Sequence, residues 1–118
     1  MKKAEQFRKM ALSFAEAEEA PHHEITSFRI KKKIFASLNE KENRATVKLN
    51  SIEQSVFCAF DSDVVYPVPN AWGKQGWTNI NLKLVKEEML KDLLCCAYCN
   101  VAPKKLAELY RVNPGGEP

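Results

Sequence analysis

Residues 27–49 read SFRIKKKIFASLNEKENRATVKL, and their alternation decides the fold. Phe28 and Ile30 share one face of a strand, with Ser27, Arg29 and Lys31 on the other. The next run, KIFASL, places Ile34, Ala36 and Leu38 on one side and Lys33, Phe35 and Ser37 opposite. NEKENR is a polar turn, after which Ala45, Val47 and Leu49 point one way and Thr46 and Lys48 the other. Three adjacent strands with short connections read as an antiparallel meander.

Helices flank the meander. Phe7, Met10, Ala11 and Phe14 follow helical spacing and predict an amphipathic helix over residues 3–15, ended before Pro21. Ser51 and Gln54 match a capping box at the start of a second helix, which carries Ile52, Val56 and Phe60 at helical spacing. Residues 64–69 (VVYPVP) are expected to be extended. In WTNINL, Thr78, Ile80 and Leu82 alternate with Trp77, Asn79 and Asn81. The strongest helical stripe runs from Val85 to Val101 through Met89, Leu90, Leu93, Leu94 and Ala97. Pro103 then opens a short final helix reaching Tyr110. This order predicts an α+β fold, an antiparallel sheet with helices packed on one face and the other face wet.

At 118 residues the chain is expected to form one domain over residues 1–111, with a flexible tail at 112–118. A hydrophobic content of 45% and a charged content of 28% are those of an ordinary globular protein. No apolar run is long enough to span a bilayer, and MKKAEQFRKM lacks the apolar stretch of a secretion signal. The expectation is therefore a cytoplasmic protein without membrane contact. Cys95, Cys96 and Cys99 crowd one segment and Cys58 stands alone, a poor disulfide framework that suits that compartment. Cys96-x-x-Cys99 resembles half of a zinc site, with His22-His23 to supply the rest, but mid-helix cysteines are better read as ordinary thiols.

Net charge is only +3, yet its distribution is uneven. Between Ile25 and Lys48 lie Arg29, Lys31, Lys32, Lys33, Lys41, Arg44 and Lys48, against Glu40 and Glu42. Strand parity gives the open face Arg29, Lys31, Lys33, Phe35, Lys48, Trp77, Asn79 and Asn81, with Lys32 and Lys74 nearby. Cations there would meet phosphates, and rings and amides would meet bases. The bland alternative is a set of exposed strand lysines that keep the sheet soluble. In NAWGKQGW (70–77), Trp72 is expected to anchor a loop and Trp77 to be available to a ligand. GKQG lacks the spacing of a phosphate-binding P-loop.

Several ordered pieces resemble the MmcQ/YjbR family of small bacterial domains: EEAPHHEITSFRIKKKIFASL, VKL, PNAWGKQGWTNINL and APKKLAEL. The likeness spans about Ala4 to Leu109 and is most specific at Pro21-His22, at Phe28-Arg29 with Lys33-Ile34-Phe35-Ala36, and at Trp72-Gly73 with Gly76-Trp77. It implies a fold similar to the frataxin/CyaY type and a "double wing" DNA-binding role, a role assigned to the family largely by fold. No catalytic residue and no cofactor carry over. The chain departs from the family in Lys31-Lys32-Lys33, where glycine is frequent in the first hairpin turn, and in its clustered cysteines.

The expected function is a non-catalytic DNA-binding module, monomeric, using Arg29, Lys31, Lys32, Lys33, Phe35, Lys48, Lys74, Trp77 and Asn79. An interaction module for a protein partner would use the same face. The alternative from another class is a metal- or small-ligand-binding protein using Glu16, Glu18, Glu19 and His22 or His23.

Overall fold

The computed structural model of the chain describes residues 3–22 and 24–110. The 112–118 tail, His23 and the side chain of His22 lie outside the described residues. The elements run α1 (Lys3–Leu12), β1 (Glu18–His22), β2 (Ile25–Ile30), β3 (Lys33–Asn39), β4 (Arg44–Lys48), α2 (Ser51–Phe60), β5 (Val65–Pro67), α3 (Ala71–Lys74), β6 (Trp77–Asn81), α4 (Glu87–Val101) and α5 (Lys104–Ala107). The strands form one antiparallel sheet in the order β1-β2-β3-β4-β6-β5.

The meander is present, and β1 extends it beyond what the sequence predicts. The residues that end the first helix pair with β2, Glu18 opposite Arg29 and Pro21 opposite Thr26. A proline cannot donate to a ladder, so it belongs on an edge strand, where β1 sits. The β2–β3 connection is the two-residue loop Lys31-Lys32, both with positive φ (52° and 70°). That is the type I′ geometry of tight hairpins, here filled without glycine.

α4 packs on β3 and β4, with α1 beside it and α5 against its far end. Leu90, Leu93, Leu94, Ala97 and Tyr98 of α4 are buried on Phe28, Ile30, Ala36, Leu38, Ala45 and Val47 of the sheet. A cluster of rings closes one end of this core. Phe14 stacks on Tyr98 at 4.8 Å, and Phe35 meets Tyr98 edge-on at 5.4 Å. The Tyr98 hydroxyl donates to the Ala15 carbonyl (2.6 Å), and the Ala15 N–H donates to the Tyr110 hydroxyl (2.8 Å). These bonds give the buried polar ends of both rings a partner and tie the chain after α1 to both ends of the C-terminal helical segment.

α2 begins one residue earlier than the Ser51–Gln54 reading. Asn50 is the cap: its side-chain oxygen accepts the Glu53 N–H (2.8 Å), and Glu53 Oε1 accepts the Asn50 N–H (3.0 Å). Gln54 is thereby free to brace the next loop, donating to the Gly73 carbonyl at 2.9 Å and Thr78 Oγ1 at 3.0 Å. The helix faces inward with Phe57 and Cys58, while Ile52, Val56 and Phe60 point to solvent. Among the described residues, no helix is long and apolar enough to cross a membrane.

Candidate nucleic-acid interface

A single residue rearranges the predicted open face. Phe28 pairs with Ala36, but Arg29 pairs with Ile34, leaving Phe35 as the extra residue of a β-bulge. Phe35 and its neighbour Ala36 are both fully buried against the helices. Phe35 is therefore a core residue and not part of the binding face. The same shift pairs Lys33 with Ile30, whose side chain is buried, so Lys33 sits at the strand end on the helix side. Ile34 takes the open-face position opposite Arg29.

What remains on the open face is a groove of about 720 Å³. Its floor is strand side chains: Ser27 and Arg29 from β2, Ile34 and Ser37 from β3, Arg44 and Thr46 from β4, Trp77 and Asn79 from β6. Its wall is the loop from Val68 to Trp72. Trp72 is 57% exposed, whereas Trp77 is half-buried beside it, which reverses the expected division between anchor and available ring. The reversal has a backbone cause. Asn70 caps the one-turn helix α3, its side chain accepting the Trp72 N–H at 2.9 Å, and it is Gly73 that turns inward. A Cβ on Gly73 would lie 2.0 Å from the Val68 carbonyl oxygen. Gly76, at φ +105°, lets the chain approach Leu49, where its carbonyl accepts the Leu49 N–H at 2.9 Å. The glycines hold the loop to the sheet, and Trp72 is left on the rim.

The cations are fewer than the sequence suggests and differently placed. Arg29 and Arg44 line the groove. Lys48 lies over the Trp77 ring, 5.4 Å from its centroid, and donates to the Gln75 carbonyl. That contact covers one face of the Trp77 ring with a cation. Arg29 Nε reaches Ser27 Oγ at 3.4 Å, and Arg44 is 3.9 Å from Glu42, so both guanidinium groups keep unused donors. Asn79 is nearly buried, its side-chain oxygen accepting from Thr46 Oγ1 at 2.8 Å. Lys31 pairs with Glu16 at 2.6 Å at the hairpin tip, with Lys32 next to it and away from the groove. Lys74 is exposed on α3, and Asn81 turns to accept the Lys83 N–H.

Of the predicted set, Arg29, Trp77, Asn79 and Lys48 come together, while Lys31, Lys32, Lys33, Phe35 and Lys74 do not join them. Arg44 was legible by extending the β4 alternation back from Thr46 by one step. The sequence makes Trp72 a buried anchor and leaves Ile34, Val68 and Pro69 off the expected face, since loop backbone and a bulge decide where they point.

Of the donors named for a metal, Glu16 pairs with Lys31 and Glu19 with Arg8, while the side chains of His22 and His23 lie outside the described residues. Arg8 grips Glu19 through two bonds of 2.7 and 2.8 Å, and this contact holds the Glu19 carboxyl below its ordinary range. Among the described residues no group of three or more His, Cys, Asp or Glu is placed to hold a metal ion. The four cysteines are free thiols. Cys95 and Cys99 donate to the carbonyls of Tyr110 and Ala107, and burial pushes Cys95 up to about 11 and Cys96 up to about 12.

Comparison with known proteins agrees with this architecture. The family model described as YjbR matches residues 12–100. The crystal structure of Deinococcus radiodurans protein DR2400, a DUF419 domain, is similar with a TM-score of 0.76 at 19% identity, over 100% of this chain and 96% of that one. No curated protein matches. The family match covers most of the chain, from the end of α1 to the end of α4, and includes every strand of the sheet. The chain belongs to the YjbR family.

Proposed function

We propose that this chain is a non-catalytic DNA-binding protein that takes a single strand along the open face of its sheet. The observation that carries the reading is the exposed Trp72 ring, standing beside Trp77 on a groove that also holds Arg29 and Arg44. An unpaired base offers a flat face to such a ring, and its backbone offers phosphate oxygens to guanidinium forks. A duplex hides its base faces and leaves the Trp72 ring nothing to stack on. Ser27, Ser37 and Thr46 line the same floor and supply hydrogen-bonding groups to base edges.

Intrinsic tryptophan fluorescence during titration with a mixed-sequence oligonucleotide tests this directly. Three cations at the face, Arg29, Arg44 and Lys48, predict a log–log salt slope of about −2 for a single strand. Quenching should saturate at about 50 mM salt and weaken at about 200 mM. Trp72→Ala should remove most of the affinity and leave the fold intact. Absence of quenching by single-stranded or duplex DNA in folded protein would overturn the reading. An extended apolar peptide is a second reading, favoured by Ile25, Ile34, Val68 and Pro69 in the same groove. It predicts binding that hardly responds to salt.

A further inference from the structure

The outward face of α2 is apolar where a surface helix should be polar. Ile52 is 74% exposed, Val56 62% and Phe60 77%, at i, i+4 and i+8 on one ridge. Ser51, Ser55 and Ala59, all exposed, form the ridge beside it. No charged side chain interrupts either row, and Glu53, the only charge on the helix, is half-buried in its capping box. Leu84, itself 54% exposed, joins Val56 and Phe60 around a groove of about 430 Å³ against the start of α4. Together these side chains expose a few hundred Å² of apolar surface, the size at which a patch on a monomer marks a contact site.

We propose that this face pairs with its own copy in a two-fold symmetric dimer, α2 lying antiparallel to α2 of the second chain. Three features commit it to a second copy. An uncharged ridge offers nothing for a charged partner to read, yet it meets itself without repulsion. A row of large side chains beside a row of small ones is self-complementary when ridges cross grooves. The two ends of the helix also carry opposite charge. Exposed Lys74 follows Gly73, whose carbonyl Gln54 holds near the N-terminal end, while exposed Asp61 and Asp63 follow the C-terminal end; Lys48 is turned onto the open sheet face and takes no part. An antiparallel crossing brings the acidic end of each helix to the basic end of the other, which a parallel one does not. Two-fold symmetry then places Val56 at the axis and Ile52 across from Phe60 of the partner, so each contact occurs twice.

Helix α2, with Leu84 and the groove beside it, offers an interface at the small end of stable contacts, so association is expected to be weak. Sedimentation equilibrium of the full chain from about 2 to about 500 μM covers the range of weak dimers. The wild type should pass from monomer to dimer across the range. Val56→Glu should weaken association at least about 100-fold by burying a charge at the axis. Ser55→Arg provides an independent variant on the small ridge, and circular dichroism verifies that each is folded. A wild type that stays monomeric throughout would overturn the proposal and leave the ridge to a partner of different sequence. A dimer that persists in both folded variants would overturn it too, since the interface would then lie elsewhere.

Discussion

Replacing the hairpin tip Lys31-Lys32 with Asn-Gly should stabilise the protein, although it deletes two surface charges and an ion pair. Both lysines sit in the left-handed region, at φ 52° and 70°. An L-residue with a Cβ pays about 1 kcal/mol there, and two of them about 2 kcal/mol. Asparagine tolerates the first position through its short polar side chain, and glycine removes the penalty at the second. Two terms oppose the gain. Glycine frees the unfolded chain by about 0.5–1 kcal/mol. The Lys31–Glu16 pair is lost, but its side chains are 56% and 52% exposed, so it contributes only a few tenths of a kcal/mol. The balance is a stabilisation of about 1 kcal/mol, or about 4 °C in Tm for a chain of this size. Urea titration followed by circular dichroism reads it as a higher midpoint at unchanged slope. A midpoint equal to or below that of the wild type would refute the reasoning and mean that the tip lysines make contacts worth more than their backbone strain.

Two further outcomes test the bulge and the thiols. Phe35→Ala should cost about 3–5 kcal/mol, because the ring is fully buried between Phe14 and Tyr98, whereas Ile34→Ala, at a partly exposed position, should cost about 1 kcal/mol or less. Equal losses in urea titrations would mean that Phe35 is not the inward residue. Cys95 and Cys96 should label slowly with a thiol reagent at pH 8 and rapidly once unfolded, since their thiols are held protonated to about 11 and about 12. The folded state retains these protons after the unfolded chain has begun to lose them near 9.0, the ordinary value of a free thiol. Stability should therefore be full below that value and fall as pH rises toward 11, a decline that Cys95→Ala/Cys96→Ala should flatten.

Period-two alternation was sufficient to place β2, β4 and β6, because each buries one face against helices and cannot slip without exposing it; it located β3 but not the facing of its first residues, which the bulge at Phe35 reverses. The α4 stripe was equally plain, since its apolar residues keep helical spacing over four turns. β1 was not legible. Its glutamates and Pro21 carry no alternation, and an edge strand held mainly by backbone bonds leaves no hydrophobic pattern to read. α2 misled in the opposite direction. Ile52, Val56 and Phe60 form a helical stripe that belongs outside, while Gln54 and Phe57 face inward. Periodicity reports that one side of a helix is apolar; it does not report which side the rest of the chain covers.

The candidate site shows how one residue changes a functional reading more than a structural one. With regular pairing through β3, the open face would be a lysine surface carrying Phe35, and affinity would rest on charge. The extra residue at Phe35 swaps a ring into the core and Ile34 onto the face, and it sends Lys33 to the helix side. The loop glycines then bring Trp72 to the rim. The result is an apolar groove bounded by tryptophans, with two arginines and one lysine in place of a basic plain. On the proposed reading, a surface of that kind would select by the flat face and the unpaired edge of its ligand more than by net charge. For this reason single-strand preference, and not affinity alone, is the property that separates this groove from a generic cationic sheet.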